Sequence, residues 1–370
     1  AAWVNSAALA VARITRDTPD PPGGRIVRDA AGEPTGLLLE RAVELVTRVI
    51  PPPSNEILDE ALREAQAEAH RLGVTGIHDV EDERAWAGFR RLEEAGDLEL
   101  RVLFHPPVAT LPDLIRRGQR SGAGSRWLGM GGVKLFLDGS LGSRTAWMLE
   151  PYEGSRDRGM PVAGEQAAAE AMRLAAGHGI AVTAHAIGDA AVRQALDLLE
   201  RLPRVALPHR IEHFQCVHPD DLARASAAGI VASMQPAHLL TDIPLVDRHW
   251  GRRGRGAYAF RSLLDRGTAV VFGSDVPVAS VDPREGVYAA MERRWRPEER
   301  LRFEEVLRAY TVEAARASGT ERRLGRLSPG LEADLVAWEV DPAVERGDGA
   351  AFRAGRAVLT VVGGRVVMHR

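Results

Sequence analysis

The sequence predicts an α/β fold of the parallel-barrel type, and three observations carry that prediction. An amphipathic helix, a glycine near its end and a short β-branched or apolar strand recur as one unit along most of the chain. Seven such strands can be counted, and helices that alternate with strands argue for parallel βα units. No GxGxxG or GxxxxGKS/T loop follows an early strand, which disfavours an open doubly wound sheet. Seven is one short of the eight strands that close a (β/α)8-type TIM barrel.

The first clear unit runs from Asn55 to Leu72, closes at Gly73 and leads into a strand over Val74 to Val80. Ser54 and Asn55 are good N-cap types, and the glycine supplies the left-handed C-terminal conformation. The pattern repeats as Asp82 to Ala95, Gly96 and Leu98 to Phe104, and as Glu165 to Ala176, Gly177 and Ile180 to His185. Two further copies are Pro219 to Ala228, Gly229 and Ile230 to Met234, then Phe260 to Arg266, Gly267 and Ala269 to Phe272. Strands at Val133 to Leu137 and Arg210 to His213 complete the set, and Phe303 to Ser318 reads as helix.

Residues 1–320 are therefore assigned to the barrel. Within them, residues 14–53, rich in Pro and Gly, read as a hairpin excursion over the barrel mouth. Residues 321–370 are assigned to a small C-terminal β-sandwich remnant, with strands joined by glycine turns such as Gly363-Gly364.

Composition narrows the function classes. A net charge of −3 with 27% charged residues offers no basic stripe for a phosphate backbone, so nucleic acid is not an expected partner. No stretch approaches the roughly 20 apolar residues that cross a bilayer, so no membrane partner is expected either. The lone Cys216 excludes an internal disulfide framework and a cysteine-rich zinc module, and the cytoplasm is the expected compartment.

Among 48 lysine and arginine residues only Lys134 is lysine. It sits in an apolar run that ends in a turn, which places an amine on a buried strand. A desolvated amine can lose its proton and react as a nucleophile, which guanidinium cannot do. The alternative is a salt-bridged lysine, for instance with Asp138. In parallel barrels the active site lies at the carboxyl ends of the strands. Lys134, His185, His213 and Asp275 occupy such positions on four strands, and neutral imidazole with carboxylate suits zinc and its neighbours. A neutral Lys134 could take up carbon dioxide and become a carbamate, a carboxylate-like ligand able to bridge two metals. Arg144, in the turn after the lysine strand, and His238, after a strand end, are candidate substrate contacts. Arg210 and Glu212 read as supporting or structural, with Glu212 alternating away from His213 along its strand.

These segments, Lys134-Leu135-Phe136-Leu137-Asp138-Gly139-Ser140-Leu141-Gly142-Ser143-Arg144-Thr145-Ala146, His185-Ala186-Ile187-Gly188-Asp189, Arg210-Ile211-Glu212-His213 and Gly273-Ser274-Asp275-Val276-Pro277, resemble the amidohydrolase superfamily, in the branch of N-substituted formamide deformylase. Gly325-Arg326-Leu327-Ser328-Pro329-Gly330-Leu331-Glu332-Ala333-Asp334 is similar to the segment that returns such chains to a β-sandwich. The resemblance covers essentially the whole chain.

The resemblance implies a hydrolase of C–N bonds acting on a small-molecule amide, with Lys134 carbamylated. His185 and His213 would hold a divalent metal, zinc by ligand type. Asp275 would bind metal while accepting the proton of the attacking water and passing it to the departing amine. Ester or lactone hydrolysis by the same centre, and a non-catalytic barrel acting as a binding module, are the alternatives.

One departure matters. The family's first barrel strand ends in a His-X-His pair, and none exists among the 11 histidines here. With the unusual start at Ala1, this implies a barrel lacking its first strand. It also implies at most one weakly held ion where the family holds two. Unpaired strand edges at the gap leave a homodimer open.

Overall fold

The computed structural model describes residues 1–370. Its centre is a run of parallel strands in chain order. Gly76–Asp79 pairs with Arg101–Phe104, which pairs with Leu128–Met130. Val133–Phe136 pairs with Val182–Ala186, followed by Arg210–His213, Val231–Met234 and Val270–Phe272. Leu128–Met130 and Val133–Phe136 act as one bent strand, because Lys134 still bridges in parallel to Pro107 beyond the Arg101–Phe104 strand. The bend is Gly131-Gly132. A Cβ on Gly131 would lie 2.6 Å from the His105 ring, and one on Gly132 would lie 2.7 Å from the Ala181 carbonyl, so neither position has room for a side chain.

All seven strands read from the sequence are present. The end strands Gly76–Asp79 and Val270–Phe272 are each hydrogen-bonded on one side only. The strands alternate as a barrel wall requires. Val182, Ala184 and Ala186 face the helices and join the main core with Leu196, Ala191 and Phe260, all fully buried, while Lys134, Thr183 and His185 face inward.

Several helices differ from the sequence expectation, and Pro219 to Ala228 divides into a 3-10 turn over Pro219–Asp221 and a helix over Arg224–Ala228. The helix Glu165–Gly177 runs through Gly177 and caps on His178, so the left-handed residue is Gly179 at φ 77°. Helix Phe303–Tyr310 stops at Thr311 (φ −124°, ψ −78°), and a second helix, Val312–Ala317, follows. An unbroken amphipathic pattern in sequence does not reveal such a break.

Residues before the barrel form an antiparallel sheet in which Pro34–Glu40 pairs with both Gly24–Arg28 and Ala2–Trp3. It has its own small core of Ala12, Ile14, Ile26, Leu38, Ala42 and Val46. The hairpin reaches the loop after the lysine strand through Glu40, which accepts from Thr145 Oγ1 at 2.6 Å.

At the other end of the chain, Leu335–Glu339, Arg356–Val362 and Arg365–His369 form a second antiparallel sheet. This segment shares the main core through Val344 and Phe352. Arg101 ties it to the barrel. From the barrel strand it donates to Asp334 and Glu332 at 2.5 Å each and to the Arg126 carbonyl at 2.9 Å, with its side chain 8% exposed. Arg101→Ala leaves the partly buried Asp334 without a cation, while Glu332 keeps Arg126 and Arg323. Chemical denaturation is expected to show a loss of about 3–5 kcal/mol, the cost of breaking a buried ion pair by removing one partner.

Candidate metal centre

The strand register stacks inward-facing residues in layers. Lys134, Thr183 and Arg210 lie abreast, and one pleat toward the carboxyl ends come Phe136, His185, Glu212 and Ser233. The interior is therefore polar and charged. Arg210 donates to Glu212 Oε1 at 2.5 Å, to Ser233 Oγ at 2.6 Å and to His78 Nδ1 at 2.8 Å. Burial would raise the Glu212 pKa, but the Arg210 and Lys134 cations overcome it and hold the carboxyl below its usual range.

Lys134 is buried and forms no ion pair. Its Nζ lies 4.9 Å from the centre of the Phe136 ring. Burial lowers its pKa, opposed by Glu212 and Asp275 and aided by Arg210. The salt bridge to Asp138 considered from sequence is absent, because that carboxylate instead accepts three backbone N–H groups.

His213 would face the helix layer with Ile211 if the strand continued regularly. It adopts φ 70° instead, and its ring turns to the mouth, 4.5 Å from the centre of His185 and 6.3 Å from that of His238. This corrects the expectation that Glu212 alternates away from His213, since both now face the barrel space. Asp275 is likewise left-handed at φ 59°. Each such residue costs about 1–3 kcal/mol, and strain of this kind clusters at functional sites.

Ligand atoms of His213, His238 and Asp275 all lie within 4.8 Å of one another, with His238 Nε2 3.9 Å from Asp275 Oδ2. His238, read from sequence as a substrate contact, thus stands among the candidate ligands. His185 Nε2 lies 3.0 Å from the Gly139 carbonyl, which can only accept, so its proton sits on Nε2 and Nδ1 keeps a free lone pair.

The donor set fits a divalent cation. His213 Nδ1 and His238 Nε2 are buried with no hydrogen-bond partner, and orphaned nitrogens of this kind call for one. Burial holds His185 and His213 well below the usual imidazole pKa, with Lys134 adding to the effect on both, so the rings are neutral and able to ligate. Burial raises the Asp275 pKa, against the pull of His238 and Lys134. Arg144 lies apart, exposed at φ 55° in the turn beyond the lysine strand.

Comparison with known proteins places the chain among its relatives. Protein LONG AFTER FAR-RED 3 of Arabidopsis thaliana is 36% identical over 361 residues, covering 90% of this chain, and the chain spans 62% of that relative's length. The putative amidohydrolase YtcJ of Bacillus subtilis is 31% identical across 99% of this chain and 72% of its own. N-substituted formamide deformylase of Arthrobacter pascens is 27% identical across 92% and 67%. An uncharacterized metal-dependent hydrolase from Pyrococcus furiosus superposes with a TM-score of 0.74 at 31% identity, over 90% of this chain and 68% of that one. The sequence model of the amidohydrolase family matches residues 1–368, and with a polar barrel mouth of this geometry the chain belongs to that family.

Proposed function

We propose that this chain carries the metal centre of a hydrolase that cleaves C–N bonds in small amides of the N-substituted formamide type. The observation that carries the reading is the convergence of partnerless imidazole nitrogens, one desolvated lysine and one carboxylate at the ends of successive barrel strands. Likeness to the Arthrobacter deformylase supports the substrate class.

His185, His213, His238 and Asp275, with Lys134 as its carbamate, are the residues that would hold the ion. Lys134 forms that group when its neutral nitrogen adds to carbon dioxide and releases a proton. A divalent metal held there, zinc by ligand type, acidifies water and polarises the scissile carbonyl.

The remaining steps belong to the chain. Asp275, with its side chain 41% exposed, reaches solvent and the cluster alike and accepts the proton of the attacking water. It returns that proton to the nitrogen as the C–N bond breaks, leaving a carboxylate and a free amine. His238, beside Asp275, is placed to orient the substrate carbonyl as well as to ligate. Arg144 is retained as a candidate contact for a polar group farther out. With no His-X-His pair in the sequence, one weakly held ion is the expected load.

A panel of N-substituted formamides, simple amides, esters and lactones, assayed with added zinc, tests the substrate class. Faster turnover of the formamides and amides is expected, and hydrolysis confined to esters or lactones contradicts the reading. Asp275→Asn is expected to lower amide turnover by about 10²–10⁴-fold, the usual worth of a positioned proton acceptor.

A further inference from the structure

Asp138 is fully buried, and its three backbone hydrogen bonds join the two loops that follow the strands carrying Lys134 and His185. Oδ2 accepts from Trp147 N at 2.8 Å, in the loop after the lysine strand. It also accepts from Gly188 N at 2.8 Å, and Oδ1 accepts from Ile187 N at 3.0 Å, just beyond His185. The loops touch: a Cβ on Gly188 would lie 2.0 Å from the Trp147 carbonyl oxygen. The residue after Asp138 is Gly139, whose carbonyl accepts from His185 Nε2, and Asp138 Oδ1 itself lies 3.5 Å from that nitrogen. Thr145 Oγ1 extends the same clamp, accepting from Ser140 N at 3.0 Å and donating to Glu40 of the hairpin.

We propose that Asp138 is a positioning residue for the metal centre. By locking the loop after Lys134 onto the loop after His185, it fixes the Gly139 carbonyl that holds His185 in the Nε2–H form and leaves Nδ1 free to ligate. Groups that back a ligating histidine in this way typically govern metal affinity by about 10–100-fold. The inference rests on the metal-centre reading above.

The test is equilibrium dialysis of the full chain against zinc for wild type, Asp138→Asn and His185→Ala, with circular dichroism to verify the fold and nitrogen NMR to report the His185 tautomer. In Asp138→Asn an amide NH2 faces three N–H donors. Zinc binding is expected to weaken about 10–100-fold, with loss of the pure Nε2–H signature. Unchanged affinity and tautomer in Asp138→Asn, beside lost affinity in His185→Ala, overturn the role of Asp138 alone. Unchanged affinity in both variants overturns the metal-centre reading and this inference with it. Should Asp138→Asn fail to fold, amide exchange on the wild type decides. Zinc must then increase protection of the Trp147, Ile187 and Gly188 amides, and unchanged protection there overturns the proposal.

Discussion

Lys134→Met is expected to leave the fold intact and abolish zinc binding, an outcome that separates a ligand from a structural cation. A buried amine without an ion pair costs desolvation that Met avoids at similar length. The metal-free variant should therefore equal or exceed wild type in chemical denaturation. Its zinc affinity should fall by more than the roughly 10–100-fold expected for a residue that only backs a ligand. A structural lysine predicts the reverse, with stability lost and zinc binding kept. Carbon NMR of wild-type protein in labelled bicarbonate should show one carbamate signal that Lys134→Met lacks.

His213 offers the second large effect. His213→Ala removes a ring nitrogen that has no partner but the cluster, and dialysis should show zinc binding reduced by at least about 100-fold. The backbone provides an internal control. At φ 70° a non-glycine residue is strained by about 1–2 kcal/mol, so His213→Gly should be more stable than His213→Ala by roughly that amount while binding zinc equally poorly. If His213→Ala retains zinc affinity, the imidazole is not a ligand.

Much of this site is legible in the amino-acid sequence, because strand periodicity and the strand-end rule are local and topological. Lys134, His185, His213 and Asp275 follow from counting apolar runs and asking which polar residues end them. What stays hidden depends on backbone conformation or on distant partners. The φ of 70° that turns His213 to the same side as Glu212 has no sequence signal, since positive φ is uncommon even for histidine and depends on the surroundings.

Asp138 reads in sequence only as a possible ion-pair partner. Its actual partners are backbone N–H groups up to 50 residues away, which carry no residue-type signature. His238 stands out in sequence but with a milder role, because a helical turn after a strand does not reveal that its Nε2 closes to 3.9 Å from Asp275. The Gly131-Gly132 bend is visible as two glycines, yet its cause, the His105 ring and the Ala181 carbonyl, lies on other strands.

The central claim is that these residues form one metal centre at the barrel mouth. It is tested most directly by zinc titration of the wild-type chain with bicarbonate present, followed by metal analysis after dialysis. The account predicts a single, weakly held ion per chain that His185→Ala and Lys134→Met both lose. Two tightly bound ions, or one ion that survives both substitutions, would contradict it.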